Sequence, residues 1–159
     1  MKMGTTGSAT IHVEAPPEKV YDLVTDVTRM GEWSPETHTC VWLDGATGPT
    51  VGARFKGSNR NGFARWSTKP RVVAADEARE FAFTVDFVGK DTTKWTYRFE
   101  PDDEGTKLTE SFEMMRDMPF FVQAFEKYMM RVKDRRAELI TGMEHTLGRI
   151  KAAVEGTAA

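Results

Sequence analysis

The most informative polar residue in the sequence is Glu110. It lies between Leu108 and Phe112 in a segment that alternates polar and apolar side chains, so it shares the inward phase of these two apolar residues. An ionised carboxylate in such surroundings is costly unless it is paired or stays protonated. Three outcomes are open: a structural pair with Arg65 or Tyr97, a ligand contact or proton transfer at a raised pKa, or a β-bulge that turns Glu110 outward.

Two further polar residues flank the Asn61-Gly62 turn, the strongest short hairpin signal in the chain. The period of the strand before the turn places Asn59 with Phe55 on the inward side. Arg65, after the turn, has the opposite phase to Trp66, and we expect it to lie in solvent.

The three histidines do not have the spacing of a metal site. His12, His38 and His145 lie on separate predicted elements, and no His-Glu-x-x-His motif occurs. We therefore predict no metal. His38, close to the turn that carries Trp33, is a weak candidate for a general base, and the alternative is an ordinary histidine on a strand surface.

Nucleophilic and cofactor chemistry find little support. No Gly-x-Ser-x-Gly elbow occurs, and Cys40 has no adjacent positive charge that would lower its pKa, so it is predicted to be a small buried side chain. Neither a phosphate-binding Gly-x-x-x-x-Gly-Lys-Ser/Thr loop nor a Gly-x-Gly-x-x-Gly fingerprint follows a strand. We predict no cofactor.

The elements that position these residues begin with a strand over 8–14, where Ile11 and Val13 alternate with polar residues. Pro16 and Pro17 end it and favour the first turn of a helix, and a turn over 30–35 then carries Trp33, which should point inward. From 36 to 115 the turn residues predict six antiparallel strands, including one continuous strand over 63–74.

The remainder, 119–154, has an apolar face of helical period. A continuous helix of that length would measure about 50 Å, at about 1.5 Å per residue, which exceeds the diameter of such a domain. We expect a break near 132–134. Because Asp134 and Glu138 lie among them, we expect the surrounding basic residues to form a solvated face rather than a docking patch; they are Lys127, Arg131, Lys133, Arg135 and Arg136.

Length and composition narrow the class of protein. The chain has 159 residues, which predicts a single domain over 1–159, and its formal net charge of -2 gives no positive field that would attract nucleic acid. No apolar stretch is long enough for a signal peptide or a membrane span, so we predict a cytoplasmic protein without integral membrane association.

Several segments resemble a known family. The opening VEAPPEKVY over 13–21, followed by Asp26 and EWSP over 32–35, is similar to the start of the SRPBCC superfamily, also called START-like, Bet v 1-like or helix-grip. More narrowly, the sequence resembles the polyketide cyclase/dehydrase and lipid-transport group. NRNGFARW over 59–66 and PRVVAAD over 70–76 resemble stretches common in its actinobacterial members. The resemblance covers essentially the whole chain.

This resemblance implies an α+β helix-grip fold. A seven-stranded antiparallel sheet would wrap around a long C-terminal helix, with two short helices between the first two strands, and a hydrophobic cavity would lie between sheet and helix. Residues on the inward phase of their elements, or at the expected mouth, are the candidates for its lining: Trp33, Phe55, Asn59, Trp66, Phe83, Trp95, Tyr97, Glu110, Phe112, Phe121, Phe125 and Met129. Each aromatic could equally be ordinary core packing.

Such a cavity predicts a binder of a hydrophobic small molecule, such as a lipid, a polyketide or an aromatic metabolite, acting as carrier or sensor. The alternative is a polyketide cyclase, aromatase or dehydratase, which would need polar groups in the same cavity to move protons. Glu110, Tyr97, Asn59 and His38 are the polar candidates. A protein-interaction module built on the basic stretch is the least supported interpretation.

Overall fold

Two antiparallel sheets form the framework of the protein in the computed structural model, which describes residues 1–156; the end of the predicted domain, 157–159, lies outside the described residues. One sheet has five strands in the order β1-β8-β7-β6-β5, and the other has the order β2-β3-β4. The strands are β1 (Thr6–Val13), β2 (Thr37–Trp42), β3 (Phe55–Asn61), β4 (Ala64–Thr68), β5 (Arg71–Asp76), β6 (Glu80–Phe87), β7 (Lys90–Asp102) and β8 (Gly105–Met114).

The strand count differs from the seven predicted, because the segment 63–74 forms two strands instead of one. The chain leaves β4 at Lys69-Pro70, where proline has no N–H to donate to a ladder. After this point β5 pairs with β6, whereas β4 pairs with β3, so the chain crosses from one sheet to the other. An isolated bridge between Arg54 and Arg71 links the sheets at the crossing.

The helices follow the predicted plan. The first, α1 (Pro17–Val24), and a 3-10 helix, Val27–Glu32, separate β1 from β2. After β8, α2 (Phe120–Tyr128) and α3 (Arg135–Glu155) are separate helices, which confirms the break predicted near 132–134. The α+β helix-grip architecture is confirmed. No helix within 1–156 is both long enough and apolar enough to cross a membrane.

The C-terminal half of α3 packs tightly on the larger sheet. Leu147, Ile150 and Val154 belong to one buried cluster with Val13 of β1 and Leu108 of β8. The N-terminal half of α3 lies over a different part of the sheet, and this is where space remains. One end of the sheet–helix interface is therefore closed by side chains, and the space for a ligand within this interface lies at the other end.

The contact between the 3-10 helix and β2 depends on Gly31. A Cβ atom there would overlap the carbonyl oxygen of His38, which is backbone and cannot turn away. We expect Gly31→Ala to lower the free energy of unfolding by roughly 1–3 kcal/mol. Gly148→Ala is the matched control, because Gly148 is an exposed residue of α3 with open space around it. Alanine at this helical position should raise the free energy of unfolding by about 1 kcal/mol. Urea denaturation measures both, and equal stabilities of the two variants would contradict the prediction.

Candidate functional site

A cavity of about 1400 Å³ lies between the sheets and the N-terminal half of α3. Its wall includes the aromatic side chains of Phe55, Phe83 and Trp95, and helix α2 contributes Phe121 and Phe125 on another side. Typical small-molecule sites have about 300–1000 Å³ and are mostly apolar with a few directed polar groups. This cavity has room for a molecule with several rings or a long acyl chain.

Nine of the twelve residues predicted as lining contribute to the cavity wall: Phe55, Asn59, Trp66, Phe83, Trp95, Tyr97, Glu110, Phe121 and Phe125. The structure brings these residues together from strands β3, β4, β6, β7 and β8 and from α2. Their contact with a ligand stays a prediction.

Three of the predicted lining residues lie elsewhere. Trp33 is 2% exposed and belongs to the main core, because the turn that carries it folds inward against that core. Phe112 is buried in a second cluster with Met143 and packs against Trp95, at a ring-centroid distance of 5.5 Å. Met129 follows the last residue of α2 and is 46% exposed.

His38 also lies outside the wall, with an exposed side chain. A β-bulge between Thr37 and Thr39 interrupts the alternation of β2, so that Thr37 and Cys40 face the cavity and His38 does not. The candidate general base predicted at His38 therefore has no access to the cavity from this position. His145, on α3, is the histidine that lines the cavity.

Glu110 and Tyr97 form the most buried polar pair of the wall. They are direct register partners on β8 and β7, and the Tyr97 hydroxyl donates a hydrogen bond to Glu110 Oε1 over 2.9 Å. The other oxygen, Oε2, is buried and has no hydrogen-bond partner. Burial raises the pKa of Glu110 to about 8, and the hydrogen bond from Tyr97 offsets only part of this rise. At neutral pH the Glu110 carboxyl group is therefore mostly protonated.

This geometry decides between the three outcomes open at Glu110. The residue pairs with Tyr97 and also lies in the cavity wall, so the structural and the site interpretations coexist. No bulge turns it outward, since it is only 5% exposed. Arg65 is not its partner, because the exposed guanidinium donates to the carbonyl oxygens of Gly62 and Ala64, each over 3.1 Å.

On the β2–β3 side, Thr37 and Asn59 add polar groups to the cavity wall, and Cys40 adds an apolar one. The Thr37 hydroxyl donates to Asn59 Oδ1 over 2.6 Å, and Asn59 is almost completely buried. Cys40 is the small buried side chain that the sequence predicts, and burial raises the pKa of its thiol to about 12. The thiol therefore stays protonated and acts as an apolar part of the wall.

A cluster of charged residues lies at the α2–α3 end of the cavity, and the sequence does not predict it. Arg135 donates to Glu36 through both terminal nitrogens, with Nη2 2.9 Å from Oε1, and to Glu138 Oε1 over 2.9 Å. Asn61 Nδ2 donates to Glu36 Oε2 over 2.9 Å, and Glu126 Oε1 lies 4.0 Å from Arg135 Nε. The side chain of Arg135 is only 14% exposed, so the predicted solvated position of this residue is wrong.

Only part of this cluster has a sequence signal. Arg135 and Glu138 stand three residues apart on one helix, a spacing typical of paired side chains. Glu36 lies 99 residues away from Arg135, and no local pattern connects the two. The cluster contains three glutamates and one arginine, the α-ammonium group of Met1 also acts on Glu126, and Arg60 lines the same cavity. Burial raises the pKa of Glu126, and Arg135 opposes that rise.

Helix α2 covers the cavity without a buried residue of its own. Phe121 contacts Phe87 of β6, with ring centroids 6.0 Å apart, while Phe120 and Tyr128 lie largely in solvent. A helix that contributes side chains to the wall but buries none completely is weakly anchored.

Comparisons with known proteins agree with this architecture. The model of the family described as polyketide cyclase / dehydrase and lipid transport matches residues 5–155. The chain belongs to this family. No curated protein sequence matches it significantly.

Among solved structures, the Polyketide_cyc-like protein Cgl2372 from Corynebacterium glutamicum is 38% identical, with a TM-score of 0.64, and the match covers 98% of this chain and 94% of that one. TTHA0849 from Thermus thermophilus is 18% identical over 98% of this chain and all of that one, with a TM-score of 0.68. Ara h 8.0201 is 16% identical over 96% and 99% of the two chains, with a TM-score of 0.67. The last two share the fold of this member of the polyketide cyclase/dehydrase and lipid-transport family.

Proposed function

We propose that the protein binds an uncharged hydrophobic small molecule, such as a lipid, a polyketide or an aromatic metabolite, as a carrier or sensor in the cytoplasm. The observation that supports this proposal is the open cavity of about 1400 Å³ with its aromatic wall. An interior is normally packed to the density of an organic crystal, so an open apolar space of this size is an exception. An apolar guest that displaces water from such a wall gains the hydrophobic free energy of the buried surface.

The charged groups at the cavity end are already paired with one another. Glu36, Glu126 and Glu138 face Arg135, and the α-ammonium group of Met1 also acts on Glu126. A charged guest would have to compete with these contacts and lose its own hydration, so a neutral molecule is the better candidate.

A second candidate function is catalysis in the same cavity, as a cyclase, aromatase or dehydratase. Glu110 favours it, because a buried carboxyl group with a pKa near 8 can give or take a proton at neutral pH, and Tyr97 holds it in place. The two candidates differ in what leaves the cavity. A carrier releases its guest unchanged, whereas an enzyme releases a product of different mass or different ring connectivity, which mass spectrometry of the incubated mixture distinguishes.

Uptake of a neutral fluorophore tests the binding function. The native protein should bind 1-aminoanthracene with micromolar affinity, and Trp66→Ala or Phe125→Ala should weaken binding roughly tenfold, because each removes a large apolar contact. Phe63→Ala is the matched control, since Phe63 is 75% exposed at the β3–β4 turn and lies outside the cavity. Absence of saturable uptake, or an equal loss in the control, would contradict the proposed function.

A further inference from the structure

The wall of the cavity contains one buried acidic oxygen without a partner. Glu110 Oε2 makes no hydrogen bond, whereas its sister atom Oε1 is held by Tyr97. Buried polar atoms in folded proteins are nearly always paired, and an exception calls for a specific explanation such as a missing ligand contact. The pair stands among apolar neighbours on the sheet, with Trp95 and Phe99 on either side of Tyr97 along β7.

The position of the pair suits an anchor for a guest. Both residues lie in the centre of long, hydrogen-bonded strands, so the carboxyl group is presented from a rigid surface. The remaining wall around them is supplied by aromatic side chains such as Phe55 and Phe83. A flat apolar molecule in the cavity could therefore place a single oxygen against Glu110 while its rings contact the aromatic wall.

We infer that Glu110, positioned by Tyr97, is the polar recognition group of the cavity and selects uncharged guests that carry a carbonyl oxygen. The carboxyl hydrogen on Oε2 donates to the guest carbonyl, and Oε1 keeps its bond from Tyr97. This inference rests on the proposed function, because it requires a guest in the cavity. The expected guests are aromatic or polycyclic ketones, a class that the size of the cavity alone does not select.

The protonation state of Glu110 gives the inference a pH signature. The neutral carboxyl donates a hydrogen bond, but the carboxylate that forms above about pH 8 only accepts. A ketone, which has no donor, therefore loses its partner as pH rises, whereas an alcohol can still donate to the carboxylate.

Other titratable groups face the same space and must be distinguished from Glu110. Tyr97 of β7 and Cys40 of β2 have pKa values raised by burial, for Cys40 to about 12, so both stay protonated at pH 9.5. Asp86 of β6 and His145 of α3 line the cavity as well, and the register partner on β1 is an alanine. His145→Gln and Asp86→Asn serve as controls for these two groups.

Three probes of one shape test the inference: fluorene, 9-fluorenone and 9-fluorenol, which differ only in carrying a methylene, a carbonyl or an alcohol. Each is titrated at pH 6.5 and pH 9.5 as a competitor of bound 1-aminoanthracene. The reference is Tyr97→Phe/Glu110→Leu, which removes both polar partners and leaves no orphaned group. At pH 6.5 the preference for fluorenone over fluorene should exceed that of the reference roughly threefold to tenfold.

At pH 9.5 this excess should disappear for fluorenone and persist for fluorenol. Glu110→Gln should keep the preference for fluorenone at both pH values, because its amide group donates and does not titrate. Equal fluorenone preference in the native protein and the reference would overturn the inference, as would a pH response that survives in Glu110→Gln or is lost in His145→Gln or Asp86→Asn. Failure of all three probes to bind would instead overturn the proposed function.

Discussion

Glu110→Gln is expected to stabilise the protein increasingly as pH rises from about 5 to 8. In the folded state the pKa of Glu110 is raised to about 8 by burial, and in the unfolded chain the group has its ordinary value of 4.5. Between these pKa values Glu110 is ionised in the unfolded chain and protonated in the folded protein. The free energy of unfolding of the native protein therefore falls by about 1.4 kcal/mol for each pH unit. Glutamine has nearly the same shape, accepts from Tyr97 and cannot ionise.

The measurement is the free energy of unfolding in urea at several pH values. Native protein and Glu110→Gln should agree within about 1 kcal/mol at pH 5 and differ by roughly 3–5 kcal/mol at pH 8, with no further divergence above pH 9. Glu113→Gln is the matched control, because it removes a carboxylate from an exposed site on the same strand and should follow the native curve within about 0.5 kcal/mol. Parallel curves for native protein and Glu110→Gln would show that the carboxyl group ionises freely in the fold.

Strict alternation predicted the buried side of the larger sheet well. Phe83, Trp95, Tyr97 and Glu110 lie on strands where each residue has a register partner directly across, so period two fixes the direction of their side chains. The carboxyl group at an inward position could be inferred from sequence for the same reason. Its partner could not be chosen, because register between strands depends on turn geometry rather than on period.

The errors cluster where the regular period is interrupted. A β-bulge beside His38 reverses the phase of one end of β2, and Pro70 divides a segment whose side chains alone suggested one strand. Trp33 was correctly expected to point inward, but a turn does not indicate whether inward means core or cavity. In each case a local backbone feature decides where the side chains point, and the pattern of polar and apolar residues does not reveal that feature.

The existence of the cavity is implied by the family resemblance and not by any residue pattern. A sheet core and a cavity wall use the same aromatic residues at the same spacing, as Phe99 in the core and Trp95 in the wall show on one strand. The difference is which part of the sheet α3 covers: Ile140 and Met143 pack with Phe112 and Met114 of β8, and the cavity lies beside this contact. The charged cluster around Arg135 depends on the same long-range placement.

Arg135→Met is expected to lower the free energy of unfolding by roughly 2–4 kcal/mol at pH 7. Arg135 is the cation that contacts three carboxylates, Glu36, Glu126 and Glu138, in a partly buried setting. Removal of one partner from such a cluster leaves uncompensated like charges close together, which costs more than the intact ion pairs contribute. Methionine preserves the apolar stem of the side chain, so the loss reports on charge rather than packing.

Lys133→Met is the control, because it removes a cation from an exposed position two residues earlier and should change stability by less than about 0.5 kcal/mol. The double variant Glu36→Gln/Arg135→Met should recover part of the loss, since it removes one of the repelling charges. If Arg135→Met matched the control instead, the cluster would be screened by solvent, and its ion pairs would contribute little to the free energy of unfolding. The preference for uncharged guests would then depend on the apolar wall and on Glu110 alone.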